Sequence, residues 1–114
     1  MEANENHHEE MAAPSPLTSR AALLLALLEG SAGGLAVIHR VCERTGGAVR
    51  LYQGAVYPAL HALVAEGLAR ELEAVAPGPG GSGRAVVPYV LTPAGRRAAE
   101  GVRGALRALV GEGK

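Results

Sequence analysis

The chain has 114 residues, with 11 lysines and arginines against 11 acidic residues, and 48% of its residues are hydrophobic. A chain of this length corresponds to one domain. Because Trp and Phe are absent, the core must be built mainly from Leu, Val and Ala, and the one cysteine, Cys42, excludes an internal disulfide.

The apolar run at residues 21–28 bears on where the protein is located. It is far shorter than the roughly 20 residues that cross a bilayer. It also lacks the basic flank and the cleavage site of a signal peptide. A single cysteine fits a reducing compartment. We therefore expect a cytoplasmic protein without a membrane partner.

The charge is unevenly distributed along the chain. Residues 1–16 contain four glutamates and no Lys or Arg, which leaves 11 basic against 7 acidic residues in 17–114, a net charge of +4 with His neutral. We expect 1–16 to be a disordered acidic arm. The positive remainder is compatible with a nucleic-acid partner. His7 and His8 lack the i, i+4 spacing of a helical zinc site, so we predict no bound metal or cofactor.

The first helix is predicted at about 18–29, with Thr18 or Ser19 as its N-cap and Gly30 just beyond its end. Its middle, residues 23–28, is apolar nearly all the way round. A helix without a polar face must be covered on more than one side. We expect part of that cover to come from a second subunit.

Two further helices are predicted, at about 34–44 and 54–66. Thr45-Gly46-Gly47 ends the former and Gly67 the latter, and Pro58 is expected close to the first turn, where a missing N–H costs little. Helical spacing predicts which side chains face the core. In the second helix these are Leu35, Ile38 and Val41 or Cys42, while His39, Arg40, Glu43 and Arg44 face outward. In the third helix the inward side chains are Val56, Leu60 and Leu63.

Two strands and a loop follow the third helix. Residues 68–75 alternate apolar and polar side chains, 77–83 are a Pro- and Gly-rich loop, and 86–91 form the return strand. Pro88 predicts an edge position for that strand. A pair of strands around a loop, after three helices, predicts a β-ribbon wing.

The last helix begins at Thr92-Pro93, with Thr as N-cap and Pro in the first turn, and continues to about 110. Its apolar side chains recur at the three- and four-residue spacing of a coiled-coil seam. We predict dimerisation along this seam together with the first helix; folding of the helix back on its own domain is the alternative. The predicted interface residues are Leu24, Leu28, Ala99, Val102, Leu106 and Leu109.

The fold class is therefore mainly α (α+β), a winged helix-turn-helix with three helices, a two-stranded β wing and a C-terminal dimerisation helix. We divide the chain into an acidic arm (1–16), a winged helix DNA-binding domain (17–91) and a dimerisation helix (92–114).

Basic side chains near the third helix and the wing are the candidates for phosphate contacts, which supply most of the affinity for DNA. Arg50 lies just before the third helix, Arg70 on the first strand and Arg84 beside the loop, with Arg40 as a further candidate. A solvated surface charge is the alternative for each.

Sequence specificity needs side chains that contact base edges. On the outward face of the third helix, Gln53, Tyr57 and His61 are the polar candidates, and Ala55 can contact a thymine methyl group. Each polar candidate has a structural alternative: Gln53 can cap the helix, Tyr57 can pack under the wing, and His61 can simply be solvated.

An enzyme is not indicated. Gly78, Gly80 and Gly83 satisfy G-x-G-x-x-G, but this fingerprint works only between a strand and a helix that receives pyrophosphate, and here it precedes a predicted strand. Aspartate is absent from the chain. The weakly charged third helix instead leaves one alternative to DNA binding, a winged-helix dimer that binds a protein or a small ligand.

Four segments resemble the PadR family of transcriptional regulators, over about residues 20–100. The resemblance implies a homodimeric repressor of operator DNA, in its compact form with a single C-terminal helix. It further implies that the third helix enters the major groove, that the wing contacts the backbone or minor groove, and that a small-molecule effector regulates some members. The segments are Leu24–Gly30 (LLALLEG), Gly54–Leu60 (GAVYPAL), Glu66–Leu68 (EGL) and Tyr89–Arg96 (YVLTPAGR).

Overall fold

The computed structural model describes residues 17–76 and 85–111. The elements in chain order are the helices α1 (Ser19–Leu27), α2 (Gly34–Arg44) and α3 (Gln53–Ala65), the strands β1 (Ala69–Glu71) and β2 (Tyr89–Leu91), and the helix α4 (Pro93–Val110). This order confirms the predicted winged helix. The acidic arm at 1–16 and the wing loop at 77–83 lie outside the described residues, as does Arg84.

α1 is the centre of the core. Thr18 caps it by accepting a hydrogen bond from the Ala21 N–H at 3.1 Å. α1 contacts α2, α3, α4 and β2, and Leu23, Leu24 and Leu27 are fully buried. The expectation that a second subunit covers part of this helix is wrong for Leu24, because the other elements of the same chain already enclose it.

The inward face of α2 differs from the prediction. Leu35 is 59% exposed, whereas Val37 and Val41 are buried. The N-terminus of α2 sets this rotation. A Cβ on Gly33 would lie 2.7 Å from a Val86 methyl group, and one on Gly34 would lie 2.5 Å from the Tyr57 ring. Helical spacing alone could not show that the wing and α3 press on this end.

Arg40 was predicted to face outward, and the structure corrects this. The side chain is half-buried, and its Nη1 donates to the carbonyl oxygens of Ala26 at 2.8 Å and Gly30 at 3.1 Å. These carbonyls lie at the end of α1 and just beyond it, where the regular i+4 donors of the helix run out. Arg40 therefore caps α1 and orients α2 against it, which makes it unsuitable as a phosphate contact.

The wing begins with the antiparallel pair of β1 and β2, in which Ala69 lies opposite Leu91 and Arg70 opposite Val90. Further out, Val75 forms an isolated bridge with Val86. On its other side Tyr89 exchanges backbone hydrogen bonds with Ala32, at 2.9 and 3.1 Å. In this two-stranded sheet β2 has a free edge, as Pro88 predicted, and the isolated bridge from Ala32 covers that edge at Tyr89.

The junction between α3, β1 and α4 is held by hydrogen bonds around Thr92. Its hydroxyl accepts from the Gly95 N–H at 3.0 Å, which caps α4, and donates to the Gly67 carbonyl at 2.7 Å. The Thr92 N–H donates to the Leu68 carbonyl at 3.0 Å. Gly95 then packs directly on Leu68. These contacts set the direction in which α4 leaves the sheet.

An ion pair joins the start of α1 to the end of α3. Both Nη atoms of Arg20 donate to the Glu66 carboxylate, at 2.9 and 2.7 Å. The hydrogen bonds from Arg20 are the main cause that lowers the pKa of Glu66 below its usual 4.5. The pair therefore contributes stability above that value and loses it as the pH falls through the lowered pKa.

We accordingly expect Glu66→Gln to lower the melting temperature slightly at neutral pH, since the pair is exposed. The difference in melting temperature between the variant and the wild type should shrink toward zero in acid, where Glu66 of the wild type becomes neutral. Thermal unfolding of both proteins from neutral to acidic pH measures this. A difference that stayed constant at every pH would show that the charge on Glu66 does not contribute.

Candidate nucleic-acid interface

α3 presents one face to the core and one to solvent. Val56, Leu60 and Leu63 are fully buried against the other elements. The opposite face is exposed and carries no charged side chain, since residues 53–65 contain no Lys, Arg, Asp or Glu. This face can approach another surface closely because its side chains are short. Its exposed members are Gly54, Ala55, Pro58, His61, Ala62 and Ala65.

Pro58 lies deeper in α3 than predicted. The helix begins at Gln53, so Pro58 is inside it rather than near its first turn. Proline has no N–H, so the Gly54 carbonyl lacks its usual intrahelical donor. Both residues are exposed, and water or a ligand can therefore satisfy that carbonyl. The exposed position explains why the helix tolerates a proline there.

The predicted polar readers on α3 occupy three different environments. Gln53 is exposed at the first residue of the helix, where no side chain caps it. His61 is exposed, and its ring centroid lies 6.5 Å from that of Tyr89. Tyr57 is half-buried over Gly34. Gln53 and His61 therefore remain available to a partner, whereas part of Tyr57 serves to pack α3 on α2.

Tyr89 connects α3 to the wing, and the sequence analysis did not single it out. It is buried, and its hydroxyl donates to a Glu71 carboxylate oxygen at 3.4 Å across the two strands. Burial raises the pKa of the Tyr89 hydroxyl, and the charge of Glu71 raises it further. The hydroxyl therefore stays protonated as a donor, which ties the strands together beside His61.

Two of the arginines predicted to contact phosphates, Arg50 and Arg70, are exposed in the structure. Arg50 is exposed in the turn before α3, and its Nε donates to the Gly47 carbonyl at 3.3 Å. Arg70 is exposed on β1. Within 17–76 and 85–111, no carboxylate pairs with either of them. Arg50 and Arg70 therefore keep their positive charge available on the side of α3 and the wing.

Tyr52 was missed by the sequence analysis although it carries a clear signal. Residues 49–52 alternate between buried and exposed, with Val49 and Leu51 in the core and Tyr52 67% exposed. Successive side chains of an extended segment point to opposite sides. Arg50 and Tyr52 therefore project from the same side, immediately before α3. The alternation Val, Arg, Leu, Tyr could have indicated this.

The residues predicted for the dimer interface separate into two groups. Leu24 is 2% exposed and Ala99 is 0% exposed, so the chain itself already covers them. Leu28, Val102 and Leu106 are half-buried, whereas Leu109 is 81% exposed. The interface prediction therefore narrows to the four residues of the second group.

A groove with a volume of about 410 Å³ lies between α1, α2 and α4. Its lining combines apolar side chains with arginines, and Glu29, which also lines it, is paired with Arg44. In the part of the chain that the structure describes, no His, Cys, Asp or Glu cluster could hold a metal ion, and no helix is long and apolar enough to cross a membrane. Lining residues include Leu17, Leu25, Leu28, Val41, Arg40 and Arg103.

Comparison with known proteins identifies relatives for this arrangement. The sequence model of the transcriptional regulator PadR-like family matches residues 23–101. A search of curated proteins gives no match. A transcriptional regulator from Clostridium thermocellum is similar in structure, with a TM-score of 0.63 and 15% identity over 80% of this chain and 82% of that one.

Two other solved structures share the fold. Bacillus subtilis PadR in complex with operator DNA has a TM-score of 0.62 and 22% identity, over 77% of this chain but 47% of that one. A PadR-like transcription factor from Bacteroides fragilis has a TM-score of 0.61 and 18% identity, over 96% of this chain and 92% of that one. At these identities the likeness concerns the fold.

Proposed function

The chain belongs to the PadR-like family of transcriptional regulators, a family of regulators rather than enzymes, and we propose that it represses transcription by binding operator DNA as a homodimer. The observation that carries the proposal is the free face of α3 beside the wing. A helix of these dimensions enters the major groove, and its N-terminal part contacts the base edges.

The composition of α3 favours close approach of the helix to DNA rather than a large number of polar contacts. Gln53 and His61 are its exposed polar side chains, and Ala55 is exposed as well. No arginine on this helix can bind guanine bidentately, so direct readout rests on few groups. Arg50 and Arg70 flank the helix and supply the phosphate contacts, with Arg84 proposed as a third on the wing. Binding should therefore depend strongly on salt.

The C-terminal half of α4 supports the homodimer. Leu109 is 81% exposed and Val110 67% exposed, at the end of the stripe that Val102 and Leu106 begin. An exposed row of large apolar side chains on a helix is stabilised when a second copy covers it. Two copies joined there would present two α3 helices to one duplex. An inverted repeat with half-sites about 10 base pairs apart is then expected.

Selection of bound duplexes from a random pool tests the proposal directly. We expect enrichment of an inverted repeat, with retention that falls steeply between low and moderate salt. The matched control is the protein with Ala55→Glu and Ala62→Glu, which places carboxylates on the exposed face of α3 without touching the core. This variant should enrich nothing. Failure of the wild type to enrich any sequence at low salt would refute the proposal.

A specific observation favours a second function, a winged-helix dimer that binds a protein. Leu35, Val75, Val86 and Val87 are large, apolar and substantially exposed. Val86 pairs with Val75 and lies over Gly33, two residues before Leu35 in the chain. Exposed apolar patches mark interaction sites. If the double variant Leu35→Ser, Val86→Ser keeps full DNA binding, the patch is not part of the DNA contact and stays free for a protein; if the double variant loses DNA binding, the patch belongs to the DNA contact and this second function fails.

Regulation by a small molecule is the remaining part of the proposal. The groove between α1, α2 and α4 has a volume of about 410 Å³, which is within the range of small-molecule sites. Arg103, which lines it, follows Val102 of the apolar stripe on α4. A molecule bound there would act on the dimer, and through the spacing of the two α3 helices on DNA.

A further inference from the structure

Tyr52 has a large exposed side chain that takes no part in capping α3. It is the N-cap residue of α3, yet its side chain makes no capping hydrogen bond. Its backbone carbonyl instead accepts from the N–H groups of Ala55 and Val56, both at 2.9 Å. Among the residues that the structure describes, its hydroxyl has no hydrogen-bond partner. The backbone of Tyr52 is thus fixed while its phenol remains free.

Arg50 is held beside it by the preceding turn. Gly47 has φ of +88°, and a Cβ there would lie 3.4 Å from an Arg50 Nη atom. The Gly47 carbonyl accepts from the Arg50 Nε at 3.3 Å, which restrains the guanidinium, and the Nη atoms have no hydrogen-bond partner among the described residues. The buried side chains of Val49 and Leu51 anchor the same segment in the core. Arg50 and Tyr52 therefore project together, about 7 Å apart along an extended backbone.

We propose that Arg50 and Tyr52 form a two-point clamp on the DNA backbone that positions α3 in its groove, in which the Tyr52 hydroxyl donates to a phosphate oxygen. This inference rests on the proposed DNA-binding function. Tyrosine hydroxyls and arginine side chains both donate to phosphates, and such contacts fix the orientation of a recognition helix without reading sequence. A neutral donor adds affinity with no counterion release, whereas an arginine adds both.

The difference between the two donors makes the clamp testable. We expect Tyr52→Phe, which removes only the hydroxyl, to weaken binding about tenfold for a half-site, as for other hydrogen bonds to a charged group. The loss should be equal on every duplex, and the slope of log affinity against log salt should not change. Arg50→Ala should also weaken binding, and should reduce that slope by about 0.9 for each subunit bound.

Fluorescence anisotropy provides the measurement, with two labelled duplexes of equal length, one selected from a random pool by the wild type and one of random sequence. Arg107→Ala, which removes a charge from the last turns of α4, serves as the control and should leave the affinity for both duplexes unchanged. Circular dichroism verifies that each variant is folded, which is expected because Tyr52 and Arg50 are exposed.

The outcomes separate the clamp from the function on which it rests. If the wild type binds and Tyr52→Phe stays within twofold of it, the clamp is refuted and DNA binding stands. A loss confined to the selected duplex also refutes the clamp, because it would mean that the hydroxyl contacts a base. If the wild type binds neither duplex, the proposed function fails and the clamp with it.

Discussion

Replacing Gly95 with alanine is expected to lower the free energy of unfolding by about 3 kcal/mol or more, at the upper end of overpacking costs. A Cβ at this position would overlap the Leu68 carbonyl oxygen and lie 2.9 Å from its carbonyl carbon. The obstacle is backbone that cannot move freely, because the Leu68 oxygen also accepts from the Thr92 N–H at 3.0 Å. Relief would have to separate α4 from β1.

The matched control for this prediction is Gly101→Ala in the same helix. A Cβ on Gly101 would have nothing within 4 Å, so only helix propensity changes, and a gain of about 0.5–1 kcal/mol is expected. Urea unfolding followed by circular dichroism measures both variants. We expect the free energy of unfolding to fall for Gly95→Ala and to rise for Gly101→Ala. Equal stabilities for the two alanine variants would mean that α4 does not pack on Leu68 as described.

Introducing a charge at Leu109 is expected to raise the dissociation constant of the proposed dimer about 100-fold, which corresponds to about 3 kcal/mol. In the separate chain Leu109 is 81% exposed, so Leu109→Glu should fold normally. In a dimer built on the α4 stripe, the carboxylate would be buried without a partner, and an unpaired buried charge is strongly unfavourable. The affinity for operator DNA should fall as the dimer dissociates, because a monomer can contact only one half-site.

Ala108→Glu provides the comparison for Leu109→Glu. It adds the same charge in the same turn but about 100° around the helix, away from the stripe. Sedimentation equilibrium gives the association state of both proteins, and gel shifts on the selected duplex give their affinity for DNA. A Leu109→Glu protein that remained dimeric and bound DNA like the wild type would exclude this stripe from the interface.

Local signals account for the elements that sequence analysis placed correctly. Thr92 is the N-cap of α4, as predicted, and Thr18, one of the two candidates, is the N-cap of α1; both hydroxyls accept a backbone N–H. α2 has its predicted bounds, 34–44, between glycines and a Thr-Gly-Gly turn. Caps and turn residues act over three or four positions. The chain itself therefore carries the information that determines where these elements begin and end.

The wrong assignments on α2 concern which neighbour covers a side chain. Leu35 and Val37 both fit an apolar helical face, and only contacts of the wing and Tyr57 with Gly33 and Gly34 select Val37 for the core. Helical spacing describes a face relative to its own axis. It contains no information on the rotation of that helix in the fold, and this rotation also decided that Arg40 caps α1.

The sequence by itself determined the order of helices and strands, the family, and the absence of charge from α3. Only the tertiary structure decided that Leu24 and Ala99 lie in the core, that Leu109 is exposed, and that Tyr52 projects beside Arg50. The physical reason is that burial depends on every element that packs nearby, including elements far away in the chain, whereas caps, turns and composition depend on adjacent residues.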